Sequence, residues 1–172
     1  MKVRASRVAG SLLVLLVVAM FWMAVPALAA TEGTATLQLS MSKFAALSVV
    51  TSKVTLTPTD NDMTKGYVES EKAVEVQVRT NSNSGATLKV YGTAGNPGIA
   101  LTDLLIRSDA TGSQVKEWTA IAGNRDDAQT IWSISGKQSS WLSVYLDLRI
   151  ENLWNYAEGT YSNTLTFVIS TN

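Results

Sequence analysis

Three pairs of carboxylates stand close together in this chain: Asp60 and Asp62, Glu69 and Glu71, and Asp126 and Asp127. Two carboxyl groups about 5–10 Å apart are what a glycosidase places across a sugar bond, one as acid and one as nucleophile or base. Each pair here lies among Asn, Ser, Lys or Arg, surroundings in which charged groups are solvated. Asp60-Asn61-Asp62 also opens like a calcium loop, in which oxygens converge on a hard cation from a tight turn. The continuation Met63-Thr64-Lys65-Gly66 puts a lysine where the EF-hand pattern needs glycine. The expectation is therefore a turn built from Pro58, Asp60 and Asn61, with no metal and no cofactor.

Histidine and cysteine are both absent. That removes Ser-His and Cys-His nucleophile pairs, His-ligated zinc or iron, and thiolate clusters, and the chain is read as a non-enzyme. The residues left with recognition chemistry are aromatic: Trp118, Trp132, Trp141, Tyr145, Trp154 and Tyr156. Leu142, Val144, Leu146, Leu148 and Ile150 recur at every second position, which places Trp141 and Tyr145 on the opposite face of the same strand. Exposed rings on a flat sheet bind sugars or proteins, so these two form a candidate contact surface. The competing reading packs the rings at the sandwich edge or under the irregular middle of the chain.

The elements that must position these groups begin after an expected signal peptide at residues 1–29. Lys2, Arg4 and Arg7 form a basic start, Ser11 to Val25 is almost wholly apolar, and Ala27-Leu28-Ala29 after Pro26 supplies an A-x-A cleavage pattern. An uncleaved anchor and a type IV pilin leader are the alternatives. The polar Thr31-Glu32-Gly33-Thr34 that follows the apolar run argues against the second. With the three basic residues removed, eleven remain against fourteen acidic ones, a formal charge of −3. No basic stripe is left for nucleic acid. The expected mature chain, residues 30–172, is a single domain that is secreted to the periplasm or cell surface and held by packing without disulfides.

Strand patterns dominate it. Ala35, Leu37, Leu39 and Met41 alternate with polar residues; Val54 and Leu56 follow; Val74, Val76 and Val78 alternate with Glu75, Gln77 and Arg79. The turn cluster Asn81-Ser82-Asn83-Ser84-Gly85 predicts a hairpin between 74–79 and 87–91. Leu101 to Ile106 reads as a short strand or one helical turn. The last stretch, Leu142 to Ile169, reads as a second hairpin, its strands joined through Trp154, Tyr156, Gly159 and Tyr161. About seven short strands with turns between them predict an all-β, antiparallel, immunoglobulin-like β-sandwich, with a β-barrel as the alternative.

Trp154, Gly159 and Tyr161 form the candidate fold motif: Gly159 supplies a positive φ before the last strand, while Trp154 and Tyr161 cap the core. Val54-Thr55-Leu56-Thr57-Pro58, the run from Val74 to Ser82 leading into Leu88-Lys89-Val90, and Trp154 followed by Ala157 to Phe167 carry a resemblance. The chain resembles secreted bacterial domains related to spore coat protein U and fimbrial subunits, most specifically in its Gly-Thr-Tyr-Ser ending. The resemblance implies a surface or pilus component without enzymatic activity. The chain departs from disulfide-bearing pilin subunits in having no cysteine.

Leu37, Leu39 and Met41 are the candidate assembly strand. Burying each is worth about 1.5–3 kcal/mol, so together they rival the stability of a whole domain. They pair either within their own sandwich or with a neighbouring subunit by strand addition. The partners expected are therefore other copies or other surface subunits, with a glycan as the alternative and no membrane after signal cleavage. The first and last strands are the expected meeting edges.

Overall fold

The computed structural model describes residues 36–172. The expected signal peptide lies outside them. Two units are distinguished, Met1–Ser40 and Met41–Asn172, and every strand among the described residues belongs to the second. No helix among the described residues is long and apolar enough to cross a membrane.

Alternation decides most of the architecture. Val74, Val76 and Val78 on β2 (Tyr67–Thr80) and Val144, Leu146 and Leu148 on β7 (Gln138–Glu151) turn to the same side, and all six are buried. The two strands pair antiparallel, with Val76 opposite Val144 and Val74 opposite Leu146. Together with β1 (Ala45–Val49), β4 (Leu104–Arg107) and β5 (Thr119–Ala120) they form a five-stranded sheet in the order β1-β2-β7-β4-β5. Ala86, Leu88 and Val90 of β3 (Ala86–Ala94) line the other side of the core. β3 is the centre of a three-stranded sheet, flanked by β6 (Gln129–Ile134) and β8 (Asn163–Thr171). The molecule is thus an all-β sandwich of two antiparallel sheets, and the closed barrel is not formed.

Neither expected hairpin exists. β2 and β3 lie in different sheets, and so do β7 and β8. An alternating strand buries one face equally well beside its sequence neighbour or across the core from it, so the pattern could not choose between them. The expected strand at residues 35–41 is also displaced. Residues 36–44 carry no strand, and the first begins at Ala45. Val54 and Leu56 lie outside any strand but still pack against the core.

The Asp60-Asn61-Asp62 turn is instead the start of a short helix, α1 (Asp60–Lys65). Thr59 caps it: its hydroxyl accepts from the Asp62 N–H at 3.3 Å, while the Asp62 carboxylate accepts from the Thr59 N–H at 2.9 Å. This reciprocal pair satisfies two end groups of the helix and employs the carboxylate structurally. The Thr59 backbone bond, then its hydroxyl, holds Asp62 below the usual carboxylate pKa.

Where the chain crosses between sheets after β2, Gly85 adopts φ +94, and a Cβ there would sit 1.7 Å from the Ile134 carbonyl oxygen. Backbone of β6 cannot yield to it. Gly85→Ala is expected to lower unfolding stability by more than about 2 kcal/mol, measured by urea denaturation. An unchanged midpoint would show that the crossing can be built another way.

Candidate functional site

Sheet edges are where a sandwich meets other chains, and the two edges of the small sheet are treated differently. Along β6, the Gln114 N–H donates to the Thr130 carbonyl at 2.9 Å, and the Ser133 N–H donates to that of Thr111, also at 2.9 Å. Ser108, buried, adds a side-chain bond to the Ile131 carbonyl. The connection after β4 thereby covers that edge.

β8 has no such cover. It pairs with β3 along its whole length, from Asn163 opposite Ala94 to Thr171 opposite Ala86. Among the described residues no strand lies on its other side. Its inward residues Leu165, Phe167 and Ile169 pack on the core yet remain only half-buried, unlike Leu88 and Val90 beside them. In a constant-type immunoglobulin sandwich the sheets are A-B-E-D and C-F-G. Here β1-β2-β7-β4 occupies the first set, β3 and β8 occupy C and F, and no strand among the described residues takes the place of G beside β8. β1, the edge of the large sheet, lies against β8 across the seam without pairing to it. The final strand and the first strand are therefore both edges.

The chain enters the domain at a fixed point beside this seam. Asn81 accepts from the Phe44 N–H at 2.6 Å and donates to the Ser42 carbonyl at 3.0 Å, while its own N–H reaches the Phe44 carbonyl at 3.1 Å. Lys43 bonds Ser84 and the Asn172 carbonyl, each at 2.8 Å. Immediately before this clamp, Leu37, Leu39 and Met41 are 96%, 80% and 71% exposed. The candidate assembly strand is thus unpaired with its apolar side in water.

The other candidate residues fall elsewhere. Trp141 and Tyr145 are exposed on the outer face of the large sheet, as the period of two requires. Each ring is faced by a cation, Trp141 by the Arg79 guanidinium at 4.4 Å and Tyr145 by the Lys72 ammonium at 5.5 Å. Farther along, Trp118 lies between Arg107 at 4.6 Å and Arg149 at 4.3 Å. Arg107 also bonds Asp147 at 2.7 Å and Arg149 bonds Glu69 at 2.6 Å, so this face is largely satisfied by itself. Glu69 and Asp147 serve as ion-pair partners there, and Asp126 and Asp127 belong to a turn organised by the Asn124 side chain.

The fold motif divides. Gly159 has φ +153, a conformation unfavourable for a side chain, with no crowding closer than 3.9 Å. Tyr161 packs edge-to-face on Tyr156, their centroids 5.2 Å apart. Trp154 does not cap the core: it is 74% exposed, and its neighbour Leu153 is the buried residue of the 3-10 turn Leu153–Asn155. Three residues complete one such turn, so adjacent side chains point apart and only one of the two could enter the core. No protein-family model matches the chain, and no curated protein matches it.

Tyr156 ties this turn to the connection that leads into β4. Its hydroxyl donates to Asp103 at 2.7 Å and accepts from the Ala100 N–H at 3.1 Å. Burial, then the bond to Asp103, raises its pKa above the ordinary value of 10.0. A raised value favours the neutral phenol in the fold, so its contribution is complete below about pH 10 and is lost as pH rises through the folded value. Denaturation midpoints followed from about pH 8 to pH 11 should therefore fall more steeply for the natural protein than for Tyr156→Phe. Parallel curves would exclude this linkage.

Proposed function

We propose that the mature chain is a non-enzymatic structural subunit of a secreted surface polymer, in which each copy lends the exposed part of residues 31–43, ahead of its own clamp at Ser42 to Phe44, as a strand to the open β8 edge of the next. The observation that carries this reading is a matched deficit within one chain. Among the described residues a strand position beside β8 is empty, while an alternating apolar segment without a strand of its own stands exposed.

The chemistry of the two parts agrees. Strand addition satisfies the outward N–H and C=O groups of β8, and side chains at every second residue of the incoming segment reach the core. Leu37, Leu39 and Met41 share the period of Leu165, Phe167 and Ile169, so the added strand would complete the half-buried layer. With each side chain worth about 1.5–3 kcal/mol on burial, three are sufficient to offset the ordering of a short segment in part. The absence of cysteine leaves assembly to packing and hydrogen bonding. The resemblance of the closing motif to fimbrial subunits supports the same reading.

Secreted protein examined by size exclusion and negative-stain electron microscopy should form linear multimers, and deletion of residues 31–43 should leave monomers. A synthetic peptide of residues 31–43 should bind the deletion protein and raise its melting temperature. A natural protein that is monomeric, with the same melting temperature as the deletion, would refute the proposal.

A further inference from the structure

The most exposed aromatic ring of the sandwich domain is Trp154, and its exposure is built in. Its indole N–H donates to the Met63 carbonyl of α1 at 2.9 Å, and buried Leu153 anchors the turn that carries it. The ring is therefore held in water in one orientation by two separate attachments. Tryptophan commonly buries about 150–250 Å², so a fixed, solvated indole is a costly way to fill a surface position. Among the described residues no cation and no second ring lies over it, in contrast to Trp118, Trp141 and Tyr145.

Beside this ring lies an open cleft of about 400 Å³, lined by Lys65, Tyr67, Glu151, Asn152 and Asn155 together with Trp154. The volume falls within the roughly 300–1,000 Å³ of small-molecule sites. Its polar groups are balanced in charge. Lys65 lies 4.0 Å from Asp62, and Glu151 lies 3.5 Å from Arg149. Asn152 spends its amide N–H on Asp103 at 2.7 Å, which leaves its carbonyl as an acceptor, and exposed Asn155 offers both donor and acceptor. The Tyr67 ring is already faced by Arg149 at 4.5 Å, so Trp154 is the ring available for stacking.

We propose that this cleft binds a neutral saccharide ring of a glycan, with the apolar C–H face of the sugar on Trp154 and its hydroxyls on Glu151, Asn152 and Asn155. A flat, weakly apolar ring edged with hydroxyls matches a fixed indole bordered by amides and a carboxylate. The paired state of Lys65 and Glu151 disfavours uronates and amino sugars, whose charge would need an unmatched partner. The site lies on the 3-10 turn and the adjoining ends of β2 and β7, and binding there does not depend on exchange of residues 31–43.

The test is titration of the secreted protein with a panel of neutral gluco-, manno-, galacto- and N-acetylglucosamine oligosaccharides, read by tryptophan emission and by isothermal calorimetry. At least one member should bind saturably, with the emission change lost in Trp154→Phe and affinity reduced about tenfold or more in Trp154→Ala. Trp141→Ala should bind as the natural protein does. Circular dichroism of each variant confirms the fold, since the exposed ring contributes little to the core. No binding by any member of the panel, binding that survives Trp154→Ala, or binding that is lost with Trp141 instead would overturn the assignment. Preferential binding of uronate oligomers would overturn its neutral character.

Discussion

A strand that forms both a sheet edge and part of a core has two unmet needs: its outward backbone groups lack partners, and its inner side chains lack cover. β8 has both. Its pairing with β3 is continuous, so the strand itself is firmly placed, and the half-buried Leu165, Phe167 and Ile169 mark where the layer of side chains stops. The opposite edge shows that the fold can solve this problem internally, because the connection after β4 bonds along β6 and closes it. The open seam beside β8 is thus a local property of this one edge. The exposed segment at Leu37 to Met41 supplies, in the same chain, the residue pattern that such an edge lacks.

The outer face of the large sheet behaves in the opposite way. Asp147 accepts from the Lys72 N–H at 2.7 Å and from Arg107 on β4, so one carboxylate joins three strands where β2 carries its irregularity between Ser70 and Val74. Arg149 bonds Glu69 and lies over Tyr67 and Trp118. Cations placed on rings and carboxylates placed on cations leave few unmatched groups for a partner. Trp154 is the most exposed aromatic residue of the sandwich, no cation or second ring lies over it among the described residues, and it is also beside a cleft.

Much of this was legible from residue spacing, within definite physical bounds. Val74, Val76 and Val78 and Val144, Leu146 and Leu148 announced their buried face, because a period of two places them on one side of any strand. Trp141 and Tyr145 followed onto the other side for the same reason. Strand partnership was not legible, since neighbours along the chain that face one another across the core carry the same alternation as neighbours in a hairpin. The α1 helix was hidden by its brevity: Pro58 and the Asp-Asn-Asp sequence favour a turn locally, while the Thr59 and Asp62 capping pair was the signal that could have revealed it. Lys65, Glu151 and Asn152 could not be grouped in advance, because only the pairing of β2 with β7 brings the ends of those strands together.

If the side of β8 that has no strand beside it among the described residues receives residues 31–43 of another copy, the amides on that side are hydrogen-bonded in the assembly. Amide hydrogen exchange of the purified full-length protein, resolved to single residues across Thr164 to Thr171, reads this out. If the edge is filled, amides on both sides of β8 are protected, and those facing away from β3 lose protection when residues 31–43 are deleted. Protection confined to alternate residues in the intact assembly, unchanged by the deletion, would contradict it.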